Sequence, residues 1–154
     1  MSIENSINNI IRNIVRAYEL IRKIIGKNVS DNILIMILKE IEHIAIHELC
    51  HGALYTIYPE INIIENKNHV LSECINEIFS RLLETYTSSK IGAYTHSFDE
   101  HLHELKHYTL LSKLNIRIED LNELYNQFIK LIENGNLNKA IEIVIAKCKD
   151  WIKC

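Results

Sequence analysis

With one proline and four glycines in 154 residues, the chain has few backbone breakers, so long helices are expected to dominate. Positive charge is not in excess either. A formal charge of −3 and a pI near 6.2 leave no basic field for phosphates, so no nucleic-acid partner is expected. The cysteines at 50, 74, 148 and 154 form no close Cys-x-x-Cys pair, which argues against a zinc knuckle or a thioredoxin-type site. A Cys50–Cys74 bridge is disfavoured, because intracellular disulfides are uncommon and small buried thiols are the ordinary case. No apolar run is long enough for a membrane. The longest, Ile33 to Leu38, is followed at once by Lys39 and Glu40. The first residues, Met1-Ser2-Ile3-Glu4-Asn5, are polar and acidic, unlike a secretory leader. A soluble, cytoplasmic chain with no membrane partner is the expectation.

What is present is ample material for a core. Hydrophobic residues make up 47% and charged residues 24%, the balance of a globular chain, and the length suits one domain over 1–154. Ile7, Ile10, Ile11, Ile14, Tyr18, Ile21 and Ile25 recur at helical spacing, predicting an amphipathic helix over 2–25 closed by Gly26. Ser30 or Asp31 can cap a second helix that Pro59 stops. That helix would be roughly 42 Å long at about 1.5 Å per residue, so a break near Lys39 or a strand at Asn32–Leu38 is an open alternative. Residues 60–68 read as a loop with room for a short strand at Ile61–Ile64. Helices are expected over about 69–88, Phe98–Leu114, Glu119–Glu133 and Leu137–Trp151, with Asn134-Gly135-Asn136 turning the last pair. The last helix carries Ile141, Val144, Ile145 and Cys148 on one side, a face suited to the core or to a homodimer contact.

The segment with the most chemistry is His47-Glu48-Leu49-Cys50-His51. Residues four apart share a helix face, so two imidazoles can close on one tetrahedral divalent ion, by default zinc. The Glu after the first His then lies beside the ion, placed to take a proton from water. Ile44-Ala45-Ile46 before it and Gly52-Ala53 after it are apolar or small, which would let this helix be buried. On a helical wheel Glu48 falls amid Ile37, Ile41, Ile44 and Ala45, where a buried carboxylate would be costly without a partner. A second copy of the pattern, His103-Glu104-Leu105-Lys106-His107, has Lys106 between its histidines. Its own apolar face is Phe98, Leu102 and Leu105, so it reads mainly as a polar surface.

The following helix supplies Ser72-Glu73-Cys74-Ile75-Asn76-Glu77-Ile78-Phe79-Ser80. Ile-His-Glu-Leu-Cys-His-Gly followed by Ile-Asn-Glu-x-x-Ser resembles the gluzincin metallopeptidases of thermolysin type, over roughly residues 43 to 81. In its compactness the chain is also similar to the small archaeal minigluzincins. Taken with the helical periodicity, the resemblance gives a mainly α, compact zincin-like domain of about six helices, with at most a minor strand near 32–38 or 61–64. It implies one zinc ion per chain held by His47, His51 and Glu77, Glu48 as general base, and a peptide or protein substrate. Where such proteins usually carry an acidic residue four after the ligand Glu, this chain has Arg81; Glu73 would satisfy that rule, and His69 is a further candidate ligand. The family's upstream edge strand, along which the substrate lies, has only Asn32–Leu38 as a counterpart. The oxyanion-stabilising residue would come from Tyr94, His96, His103, His107 or Tyr108.

Two other classes fit some of the residues. A four-helix di-iron protein needs inward carboxylates and Glu-x-x-His pairs, for which Glu19, Glu48 with His51, Glu77, and Glu104 with His107 stand at nearly regular intervals. Glu19 and Glu104, however, miss the apolar faces of their helices. The third class is a non-catalytic helical interaction module that carries the motif by accident.

Overall fold

The computed structural model describes residues 2–25, 31–108 and 110–153. Seven helices and no strand are present among them: α1 (Ile3–Ile25), α2 (Asp31–Ile57), α3 (Ile61–Lys67), α4 (His69–Ile91), α5 (Phe98–Leu105), α6 (Ile118–Glu133) and α7 (Leu137–Lys153). The protein is therefore mainly α, with one helix more than expected. None of these helices is long and apolar enough to cross a membrane.

Both candidate strands are helical. Residues 32–38 belong to α2, which runs unbroken for 27 residues, and Ile61–Ile64 opens α3. Runs of Ile and Leu satisfy either secondary structure, and for residues 61–64 the deciding term is the packing of Ile61, which is wholly buried. The helix expected over Phe98–Leu114 ends at Leu105, after which the described residues form turns. The expected stop at Gly26 and cap at Ser30 lie outside the described residues.

Backbone contacts divide the chain into two units, Met1–Glu42 and His43–Cys154, with the boundary inside α2. In the first unit, Tyr18 of the α1 stripe is buried, whereas Ile7, Ile10, Ile11 and Ile21 are exposed.

The second unit contains the main core. Helix α4 runs through it and is buried on most sides, packing against α3 and α7. On its apolar side Phe79 meets Phe128 of α6 edge to face, with ring centroids 5.7 Å apart, and Leu82 and Ile78 are fully enclosed. Both ends of α4 have clear stops. The Asn68 side chain accepts from the Leu71 amide at 3.0 Å, and Gly92 closes the C-terminus at φ +71°, where a side chain would be strained. Helix α5 begins with a capping box. Its Ser97 hydroxyl accepts from the Glu100 amide while the Glu100 carboxylate accepts from the Ser97 amide, at 3.3 and 2.7 Å. Gly135, also at φ +71°, turns the chain between α6 and α7 as the Asn-Gly-Asn segment predicts.

Candidate metal centre

The second unit places a polar stripe on each of two helices. Within α2 the buried positions are His43, His47, Cys50 and Leu54, at intervals of four, three and four. The helical wheel predicts burial of the face bearing Ile44, Ala45 and Glu48, but all three are exposed, so Glu48 incurs no burial cost that a metal would have to offset. On α4 the matching stripe is Glu77, Arg81, Glu84 and Ser88, all buried.

These stripes bring His47, His51 and Glu77 together. The two Nε2 atoms are 2.9 Å apart, His51 Nε2 lies 3.4 Å from Glu77 Oε1, and His47 Nε2 lies 3.7 Å from Glu77 Oε2. One nitrogen from each ring and one carboxylate oxygen thus fall within the span of a single ion. Glu73, one turn earlier and half-buried, and His69, exposed at the start of α4, belong to no such group.

Each ring is held by its other nitrogen. His47 Nδ1 donates to Glu84 Oε2 at 3.0 Å, and His51 Nδ1 donates to Asn76 Oδ1 at 2.9 Å, with the Ser80 hydroxyl at 3.0 Å. In those tautomers both Nε2 atoms present lone pairs to one another. Two lone pairs at 2.9 Å repel unless a positive charge lies between them. Burial alone would lower the His47 pKa, but the carboxylates of Glu77 and Glu84 outweigh it and push it up to about 9. A proton or a metal ion can fill that role.

The wider network carries surplus negative charge. Glu84 is fully buried; its Oε1 lies 2.5 Å from His43 Nδ1 and accepts from the Thr95 hydroxyl at 2.8 Å. Arg81 reaches Glu77 at 3.4 Å, contacts Glu104, and donates to His101 Nδ1 at 3.0 Å. Burial opposes ionisation of all three carboxylates. Hydrogen bonds from the histidines prevail, helped by the Arg81 charge at Glu77 and Glu104 and by Thr95 at Glu84, so each is held below its ordinary value, Glu104 at about 2. Three anions therefore face the Arg81 guanidinium and His47, which holds a proton when no ion is bound, and a dication taking that proton's place would balance the charge.

A second group, His43, His96 and Glu104, is also close enough to share an ion. Its carboxylate is already used, by Arg81 and by His96 Nδ1 at 2.6 Å. Arg81 also reaches Glu77, at 3.4 Å, but it holds Glu104 more closely and His96 takes that residue's other oxygen, so the donor set fits an ion at His47, His51 and Glu77 better. Of the residues considered for a di-iron core, Glu77 and His51 group with His47. Glu104 groups with His43 and His96, and Glu48 and His107 belong to neither group. The second HExxH copy exposes His103, Lys106 and His107.

Beside the first group a cleft of about 330 Å³ is lined by His43, Ile44, His47, Glu48, Arg81, Glu104, His107 and Tyr108. Of the oxyanion candidates, His107 and Tyr108 line it, Tyr94 and His96 pack around His43, and His103 is on the exposed face of α5. Tyr108 is half-buried, and burial together with the nearby Glu77 charge raises its pKa, so its hydroxyl stays protonated as a donor. Sequence reasoning does not single out Glu84 or His43, takes Asn76 and Ser80 only as part of the Asn-Glu-x-x-Ser motif, and takes Arg81 only as a departure from the family pattern. Their signal was spacing: His43 is one turn before His47, and Arg81 and Glu84 are one and two turns after Glu77. Compared with known proteins, the chain matches no family model, no curated sequence and no solved structure.

Proposed function

We propose that this chain is a zinc-dependent metallopeptidase whose site is His47, His51 and Glu77, with Glu48 as general base. The observation that carries the reading is the convergence of two imidazole Nε2 atoms and one carboxylate, each ring anchored through Nδ1. Ordinary surface histidines have no need of such second contacts, whereas metal ligands usually have them. The resemblance to thermolysin-type gluzincins names the same three ligands and the same base. Arg81 departs from that pattern, and Glu84 takes up the ring-holding task from a position seven after Glu77.

Zinc bound there would polarise a substrate carbonyl and acidify a water molecule. Glu48, exposed at the cleft and next to His47, is placed to accept the water's proton and return it to the departing amine. Tyr108 offers a protonated hydroxyl on the same cleft for the oxygen that gains charge. Because 32–38 is helical, no upstream strand is available among the described residues to pair with a peptide backbone. The substrate would be held by side chains of the cleft rather than by strand addition.

Elemental analysis of the purified chain tests the metal assignment. One zinc per chain, removed by chelation together with peptide cleavage, is expected. Two irons per chain would replace this reading with the di-iron one, and protein without metal that binds none on titration would leave an interaction module. A subtler effect is expected at Glu84. Glu84→Gln keeps the volume but removes the charge that holds His47, so zinc affinity should fall by about 10–100-fold in a chelator competition. Unchanged affinity would mean that Glu84 serves only packing.

A further inference from the structure

Away from the candidate metal centre, α4 and α7 meet through two cysteines. Cys74 and Cys148 are both completely buried, and their sulfurs are 2.6 Å apart. Unbonded carbon atoms rest about 3.5–4.0 Å apart and sulfur is larger, while a disulfide is about 2.05 Å. The two thiols are therefore well inside the spacing of independent side chains and a short movement from a bond. The pairing differs from the Cys50–Cys74 bridge considered from sequence. Cys50 is buried on α2 with no disulfide partner.

We propose that Cys74 and Cys148 are a disulfide-forming pair, a covalent staple between α4 and α7 made by exchange with a small-molecule disulfide. The Cys74 thiolate attacks one sulfur of the oxidant, forming a mixed disulfide and releasing the first small thiolate. Cys148, as thiolate, then attacks the Cys74 sulfur and releases the second. The protein loses two thiol hydrogens as protons and two electrons, and the oxidant becomes two thiols. Burial raises the Cys148 pKa well above its ordinary value, which keeps the folded thiol protonated and slow to exchange. The bond is therefore made fastest while the chain is open. Once made, it closes a loop of 74 residues in sequence separation and ties the helix carrying Glu77, Arg81 and Glu84 to the end of the fold. Its formation does not depend on the metal assignment.

The test is to unfold the full chain and refold it with reduced and oxidised glutathione, in parallel with refolding under dithiothreitol. Peptide mapping of the oxidised sample should show a Cys74–Cys148 link, with two of the four cysteines protected from alkylation after denaturation. Its Tm should exceed that of the reduced sample by roughly 5–15 °C, and dithiothreitol should abolish the difference. Cys50→Ser should retain the link, and Cys148→Ser should lose both the link and the Tm difference. Four alkylatable thiols in the oxidised protein, or a link from Cys74 or Cys148 to any other cysteine, would overturn the proposal. If Cys148→Ser does not fold, the map of the unsubstituted chain decides alone.

Discussion

His47→Ala is expected to cost the chain its zinc and, with it, all measurable peptide cleavage. His47 is the centre of the site in two respects. Its Nε2 faces both His51 Nε2 and Glu77, and its Nδ1 is the link to the buried Glu84 carboxylate. Truncation removes one of the three proposed ligands and also strips Glu84 of one of its hydrogen-bond donors. Losing a group that only holds a ligand's ring in place already costs about 10–100-fold in affinity, so losing a ligand itself should cost at least ~1,000-fold. Isothermal titration with zinc, beside circular dichroism to show that the helices persist, checks this. His43 and Thr95 still hold Glu84 in the variant, which favours retention of the fold. Tight stoichiometric zinc binding by a folded His47→Ala chain would remove the proposed centre.

Glu48→Gln separates chemistry from binding. Glu48 is exposed on the cleft and outside the ligand group, so the substitution should leave zinc content and Tm unchanged. The amide cannot take a proton from water, and loss of a positioned general base typically costs about 10²–10⁴-fold in rate. The expected result is a drop of that size in kcat with one zinc still bound. Substrate binding measured by KM should change little, because the carboxylate's role is confined to proton transfer. Cleavage at the original rate would assign the base to another residue or the activity to a contaminant. The His47 and Glu48 results are informative together, since only a catalytic centre loses metal in one variant and rate alone in the other.

Much of the helical architecture was legible from periodicity. Helices α1, α4, α6 and α7 run close to the predicted spans, because apolar residues at intervals of three and four have a single solution in a breaker-poor chain. The misreadings share a cause. Ile-rich stretches at 32–38 and 61–64 suit both helix and strand, and local pattern cannot choose between them. For α2 the helical wheel predicts burial of the most apolar face. The second unit instead buries His43 and His47, because Glu84 and Glu77 on α4 satisfy them. Hydrophobic patterning cannot register a buried face made of mutually neutralising polar groups. For the same reason Glu84 and Arg81, legible in hindsight from their spacing to Glu77, carried no signal by themselves.

Chain order alone determined that two imidazoles stand one helical turn apart on one face with a carboxylate beside the first, since the 3.6-residue period requires it of any helix. Which acid would approach them was a matter of tertiary structure. Glu73 and Glu77 lie one turn apart on α4, and only the way that helix is seated turns Glu77 towards the histidines while Arg81 and Glu84 follow it inward. The pairing of Cys74 with Cys148 was decided in the same way, by the packing of α4 on α7. Helical period is a local property of the backbone, whereas the facing of one helix towards another depends on the burial of every side chain between them.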